Sequence, residues 1–175
     1  MKYIKLFELF ESIDIPYLMS NNFEKDRFYK TLETDDFMIK FDEITGDSLT
    51  IDWIYNISNK IRGIDIFKGI IEYCNKKNYD SIHAYGIRGL GYVNDDKQSV
   101  GVETNGYYTM MRWGFVPKNG VKDINKILKT KYKSIDDMYL DQNFWYRWKK
   151  DGNDYAGVFD LNKNSLSYKI LNHEI

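Results

Sequence analysis

The sequence predicts a single domain of α/β or α+β type, on three observations. Residues 36–44, Asp-Phe-Met-Ile-Lys-Phe-Asp-Glu-Ile, and the stretch from Leu49, Leu-Thr-Ile-Asp-Trp-Ile-Tyr-Asn-Ile, are both rich in β-branched and aromatic residues. They flank the turn Thr45-Gly46-Asp47-Ser48, as the two arms of an antiparallel hairpin do. Next, Ile66, Phe67, Ile70, Ile71 and Cys74 recur at helical spacing, which predicts an amphipathic helix from Ile64 to about Lys77. Finally, Ser81 to Ile87 reads as a short buried strand. A strand, a helix and a strand of these lengths imply a right-handed crossover and a parallel pair.

The remaining elements follow in order. Met1 to Ser12 has helical spacing, with Pro16 as its stop, and Phe23 to Leu32 reads as a second short helix. Arg88 to Thr104 is glycine-rich and polar, a loop. Asn105 to Arg112 is a short helix or turn, and Trp113 to Val116 begins a strand that Pro117-Lys118-Asn119-Gly120 ends. Val121 to Lys150 is helical, and Tyr155 to Leu161 and Ser167 to Leu171 are strands or extended segments. The chain thus divides into an N-terminal helical segment (1–35), a core (36–117) and a helical, aromatic C-terminal part (118–175) of one domain.

Composition narrows the function classes. The 175 residues are 43% hydrophobic and 29% charged, as in a soluble globular protein. A net charge of −1 argues against a protein built to coat nucleic acid, so nucleic acid is not an expected partner. No apolar run reaches the length of a membrane span, and the first ten residues lack a signal peptide's apolar stretch. The expectation is a cytoplasmic protein with no membrane partner. The one cysteine, Cys74, lies on the apolar face of the predicted helix, and no cysteine cluster offers a zinc site. Fifteen tyrosines fit either a recognition surface or an AT-biased coding sequence.

Several residues are candidates for chemistry. Lys60-Ile61-Arg62-Gly63-Ile64-Asp65 joins a strand to a helix. The first helical N–H groups lack intrahelical acceptors and attract anions, and Lys60 and Arg62 add positive charge. The same turn also reads as a charged, solvent-facing loop. Asp52, inside an otherwise apolar strand, is either a general base or a member of the strand's solvent face with Thr50. Glu103 is a second carboxylate candidate. Tyr107 or Tyr108 can donate a phenolic proton, or pack with a bonded hydroxyl. His83 has no metal-ligand spacing around it and reads as a sheet-face histidine. Phe144, Trp145, Tyr146 and Trp148, beside Arg147, Lys149 and Lys150, form an aromatic cluster suited to core packing or to base stacking.

The order of hairpin, basic turn, helix, strand and aromatic helix resembles the GNAT N-acetyltransferase superfamily. That family carries a turn of the form Arg/Gln-x-x-Gly-x-Gly/Ala, and Lys60-Ile61-Arg62-Gly63-Ile64-Asp65 falls in its place. Its closing Tyr-x-x-x-Gly-Phe element corresponds to the stretch from Asn105 to Phe115, which ends Met110-Met111-Arg112-Trp113-Gly114-Phe115. The resemblance covers roughly Asp36 to Pro117. It implies a mixed, mostly antiparallel central sheet flanked by helices, with acetyl-CoA as co-substrate. It implies that Lys60, Ile61, Arg62, Gly63, Ile64 and Asp65 hold the pyrophosphate, and that backbone groups around Tyr55 and Ile57 pair with the pantetheine arm. The acetyl group would pass directly to an amine of a small molecule or a protein, with Asp52 as base and Tyr108 or Tyr107 as acid. Two positions depart from the family: Asp65 replaces the second glycine, and Met110 stands where many members carry the acidic tyrosine. They motivate an alternative, a catalytically inactive GNAT-like binding or assembly module. The opening Met-Lys-Tyr-Ile-Lys-Leu-Phe-Glu is similar to the start of many tailed-phage proteins, which implies a phage-encoded chain in its host's cytoplasm.

Overall fold

The computed structural model describes residues 14–21, 24–25, 30–42, 47–56, 60–93 and 99–174. Its elements run α1 (Ile15–Asn21), β1 (Glu24–Lys25), β2 (Lys30–Glu33), β3 (Phe37–Asp42), β4 (Ser48–Asn56), α2 (Gly63–Lys76) and β5 (Ser81–Gly86). Then come β6 (Arg88–Val93), β7 (Ser99–Asn105), α3 (Gly106–Arg112), β8 (Val116–Pro117), α4 (Val121–Leu128), α5 (Ile135–Leu140), α6 (Phe144–Asp151), β9 (Tyr155–Asp160) and α7 (Leu166–Leu171). Seven strands form one sheet in the order β1-β2-β3-β4-β5-β9-β8, and β6 and β7 form a separate hairpin. Every adjacent pair in the large sheet is antiparallel except β4 and β5. The fold is α+β, a mostly antiparallel sheet flanked by helices.

The hairpin β3–β4 and the parallel pair β4–β5 joined by α2 match the sequence reading. Alternation explains the hairpin: Phe37, Ile39 and Phe41 are buried, while the residues between them are only partly covered. Helix α2 buries Ile66, Phe67, Ile70, Ile71 and Cys74 against the sheet, as its spacing requires. Complete burial of a side chain such as Phe67 contributes about 1.5–3 kcal/mol. Helix α1 rests on α2 at Gly69, where an added Cβ would lie 2.6 Å from the Cβ of Ile15.

Four segments differ from the sequence reading. Pro16 sits inside the first turn of α1 and starts a helix there. The Asp14 side chain accepts a hydrogen bond from the Tyr17 N–H at 3.0 Å, and a proline so early has no intrahelical bond to lose. The predicted helix over 23–32 is replaced at its ends by β1 and β2, which extend the sheet edge. The loop expected over 88–104 is the hairpin β6–β7. The segment at 167–171 is helix α7, capped by Ser165, whose hydroxyl accepts from the Tyr168 N–H at 3.4 Å. The expected helix over Met1 to Ser12 lies outside the described residues.

The core gathers on one face of the sheet. The Phe67 ring stacks on Trp113 at 5.3 Å and meets Phe115 at 5.1 Å and Phe159 at 5.3 Å. Phe159 in turn meets Tyr168 of α7 at 5.2 Å. Trp148 of α6 packs edge-on against Tyr107 and Tyr155. Helices α4 and α5 attach through α6.

Gly114 closes α3 with φ at +96°, and a Cβ there would overlap the Ser167 carbonyl oxygen of α7. Gly114→Ala is therefore expected to cost about 1–3 kcal/mol in backbone strain, and a similar amount for forcing α7 away. Urea unfolding measures the sum. A variant as stable as the parent would show that α3 and α7 do not meet there.

Candidate functional site

The site begins where β4 and β5 part. Their parallel register runs from Ser48↔Ser81 to Ile51↔Ala84 and then stops, although β4 continues to Asn56 and β5 to Gly86. Beyond that point β4 pairs with β3, and β5 with β9. The cause is local. Opposite β4, Lys40 pairs with Trp53 and Phe41 with Ile51, so Asp52 is an extra residue, a bulge. A bulge bends its strand and raises its twist, which carries β4 away from β5.

The parting leaves a cleft of about 310 Å³ on the sheet face opposite α2. Thr50, Asp52 and Trp53 line it from β4, and His83 and Tyr85 from β5. Lys118 and Ala156 close the far side, where the Lys118 N–H donates to the Ala156 carbonyl at 2.9 Å. Asp52 is partly exposed and lies 3.5 Å from the Lys40 ammonium. His83 shares a 3.1 Å hydrogen bond between Nε2 and the Ser81 hydroxyl. Partial burial, and to a lesser degree the Lys118 charge, hold its pKa below the ordinary histidine value. The imidazole is therefore neutral, and a proton acceptor, at physiological pH.

The predicted anion turn lies at the same end of the sheet. The far end of α2 returns to the start of β4, where the Asp80 N–H donates to the Asp47 carbonyl at 2.8 Å. Among the described residues, the N–H groups of Gly63 and Ile64 have no acceptor, whereas those of Asp65 and Ile66 bond the Arg62 carbonyl. Both cations of the turn are paired. Lys60 Nζ is 3.2 Å from Asp36, and the Arg62 guanidinium donates to both Asp65 oxygens, at 2.7 and 2.9 Å. That hydrogen-bonded pair, then its charge, raises the Arg62 pKa. The Asp65 carboxylate is thus neutralised by its neighbour. Ile61 and Ile64 pack against the core, and the Trp113 ring lies over Gly63, 3.2 Å from where a Cβ would stand. Tyr55 is exposed near the end of β4, and Ile57 lies outside the described residues.

The two tyrosines separate. Tyr107 is buried and its O–H donates to the Lys149 carbonyl at 2.6 Å, which assigns its hydroxyl to packing. Tyr108 is half-buried, edge-on to Trp145 at 6.2 Å, with the Arg112 and Lys149 cations each 5.9 Å from its ring. Neither residue lines the cleft. Glu103 falls in β7, and its side chain lies outside the described residues. Of the aromatic cluster, Phe144 and Trp148 are core, Trp145 is partly covered and Tyr146 is exposed.

Sequence reasoning set His83 aside as a sheet-face histidine and did not single out Tyr85 or Lys118. His83 carried a usable signal, a histidine on a strand face two residues from a serine. Lys118 carried none, because only the fold brings it across from β8. Among the described residues no group of three His, Cys, Asp or Glu could hold a metal ion, and no helix is long and apolar enough to cross a membrane.

Because the folded-state pKa of His83 is depressed, the unfolded chain takes up that proton first as pH falls. The stability tied to it is present above the ordinary histidine pKa and is lost as pH drops through the folded value. Lys118→Ala is expected to raise the His83 pKa toward the ordinary value, and NMR titration of its ring protons reads the shift. An unmoved or lower pKa would remove Lys118 from the cleft. No protein-family model, curated protein or solved structure matches this chain.

Proposed function

We propose that the chain is an acyl-CoA-dependent N-acyltransferase, with acetyl-CoA as the acyl donor and an amine as acceptor. The observation that carries this reading is the parting of β4 and β5 at the Asp52 bulge, at the end of the sheet where α2 begins. An extended ligand can lie there with its polar backbone groups paired to the unmatched part of β4. The free N–H groups of Gly63 and Ile64 suit phosphate oxygens, and the Arg62–Asp65 pair removes the repulsion an isolated carboxylate would exert. Tyr55, Ile57, Lys60, Ile61, Arg62, Gly63, Ile64 and Asp65 would hold the donor.

Acetyl-CoA supplies an acyl group already activated as a thioester. The chain's part is to orient the amine and to take its proton. Holding the two reactants together contributes several kcal/mol in well-oriented systems, about 7–11 at the limit. Asp52, balanced by Lys40, can hold an ammonium or amine at the cleft. With Nε2–H donated to Ser81, His83 takes the proton at Nδ1. We assign the base role to His83 ahead of Asp52, since the Asp52 carboxylate is engaged by the Lys40 ammonium. Tyr108, the phenol proposed to return a proton to the thiolate, packs against Trp145 and Arg112 and does not line the cleft, so that proton comes from the His83 imidazolium or from solvent.

One observation favours the second reading, a catalytically inactive GNAT-like binding or assembly module; under either reading the opening residues suggest a phage origin. The Tyr107 hydroxyl is committed to Lys149, and Met110 offers no proton, so α3 presents no free phenol at the cleft.

Acetyl-CoA is expected to raise the melting temperature, since a ligand selective for the native state must do so. No shift at millimolar ligand would end the acyltransferase reading and leave the binding or assembly module, which needs no coenzyme A. A shift without thiol release in the presence of a panel of amines would leave the binding module. Asp65→Gly should free the Arg62 guanidinium beside the phosphates and tighten coenzyme A about tenfold, the equivalent of about 1.4 kcal/mol. Weaker binding by calorimetry would mean that Asp65 itself supports the ligand.

A further inference from the structure

The β4–β5 cleft carries opposite charges on its opposite walls. Asp52 stands on the β4 side. Its contact with the Lys40 ammonium runs through Oδ2, and Oδ1 has no hydrogen bond among the described residues. Lys118 stands on the far wall, just past β8, exposed and with no ion-pair partner among the described residues. Its backbone N–H holds it beside Ala156 of β9, and Ala156 pairs with Tyr85 of β5. Lys118 thus lies three strand spacings from β4, about 14 Å of backbone separation. In that interval Ala156 adds only a methyl group, which leaves the space between the two charges open.

The walls specify what fits there. Trp53 lines the β4 side and Tyr85 the β5 side. Trp53 is partly buried and Tyr85 is 56% exposed, so both rings offer apolar surface that the protein itself does not cover. Thr50 and His83 pair one step further along the two strands. A diamine would bring its second cation against Lys118, and a simple carboxylate would bring its charge against Asp52. A ligand with one positive and one negative group, joined by a short apolar body, meets both walls.

We propose that the amine acceptor at this cleft is a free α-amino acid with an aromatic side chain. Its ammonium donates to Asp52, its carboxylate accepts from the Lys118 ammonium, and its ring packs against Trp53 and Tyr85. The acceptor role rests on the acyltransferase reading. His83 takes one proton from the ammonium at Nδ1 and passes it to solvent. The nitrogen lone pair then attacks the thioester carbon. The C–N bond forms, and the C–S bond breaks with its electron pair going to sulfur. His83 takes the second nitrogen proton and returns it to the thiolate. The products are the N-acetyl amino acid, the free thiol and one proton. The substrate carboxylate also offsets the Lys118 charge beside His83, so the imidazole gains basicity once the acceptor is bound.

The test is an NMR titration of the full chain with L-phenylalanine, without acetyl-CoA. Phenethylamine, which lacks the carboxylate, and 3-phenylpropanoate, which lacks the amine, are compared with it. L-Phenylalaninamide keeps the amine of a peptide N-terminus without the negative charge. L-Phenylalanine is expected to move the Trp53 indole and His83 ring signals saturably, with a Kd of about millimolar order, and each analogue to bind at least about tenfold more weakly. Lys118→Ala should weaken L-phenylalanine about tenfold without weakening phenethylamine. Asp52→Asn should weaken L-phenylalanine without weakening 3-phenylpropanoate. The proposal is overturned by the absence of a saturable shift, or by an equal affinity for phenethylamine or 3-phenylpropanoate. An equal affinity for L-phenylalaninamide overturns it in favour of a peptide N-terminus. These measurements need no acetyl-CoA, so their failure leaves the acyltransferase reading standing. L-Phenylalanine that binds as expected but releases no thiol from acetyl-CoA strikes that reading instead, and overturns the acceptor role with it.

Discussion

The ring of Phe67 is the contact on which the rest of the structure depends. It projects from α2 and touches Trp113, Phe115 and Phe159, which belong to the end of α3, the approach to β8, and β9. One side chain thereby fixes the crossover helix to the sheet and sets how the C-terminal half closes over it. Trp113 links this cluster to the site, since its ring lies over Gly63 at the start of α2. Aromatic packing thus helps hold the start of α2, where the N–H groups of Gly63 and Ile64 have no acceptor among the described residues. Directional ring contacts of this kind add to simple burial and hold one geometry.

The cleft has a different origin, a mismatch of one residue. Asp52 has no partner on β3, and the sheet accommodates it by turning β4 out of register with β5. The extra residue is a carboxylate facing Lys40, and the opened edge brings Thr50, His83 and Tyr85 into one cavity. A strand irregularity thus creates the space and supplies one of its polar groups.

Much of the fold was legible because its central elements have strong periodicity. Phe37, Ile39 and Phe41 alternate cleanly, and Ile66, Phe67, Ile70, Ile71 and Cys74 follow one helical stripe. The elements misread lack such a pattern. In β2, Lys-Thr-Leu-Glu buries Leu32 alone, so this strand next to the sheet edge looks like a charged helix. In α7 only six residues are helical, too few to distinguish a period of 3.6 from one of 2, and the informative residue was the cap, Ser165. The site was legible in part. Asp52 and the turn at Lys60 to Asp65 were visible as charges in unusual places, but their partners Lys40, Asp36 and Arg62 could be assigned only from the fold. Tyr107 and Tyr108 are adjacent in sequence and differ by one step of helical rotation, and that step alone puts one in the core and the other on its margin.

Strand β5 pairs with β4 on one side and with β9 on the other, and its partner across Ser81 is Asp160. During synthesis these two neighbours become available at very different times. The ribosome releases the hairpin, α2 and β5 while β9 is still some 70 residues from being made, by the register just given. Until then β5 offers an unpaired, apolar edge with Ile82 and Gly86 on the face that α3 and the Phe67 cluster later cover. Such an edge invites pairing with other chains. The nascent protein therefore passes through a stage in which β5 is an open edge for adhesion, and chaperone demand should be greatest in the interval before residue 160 emerges.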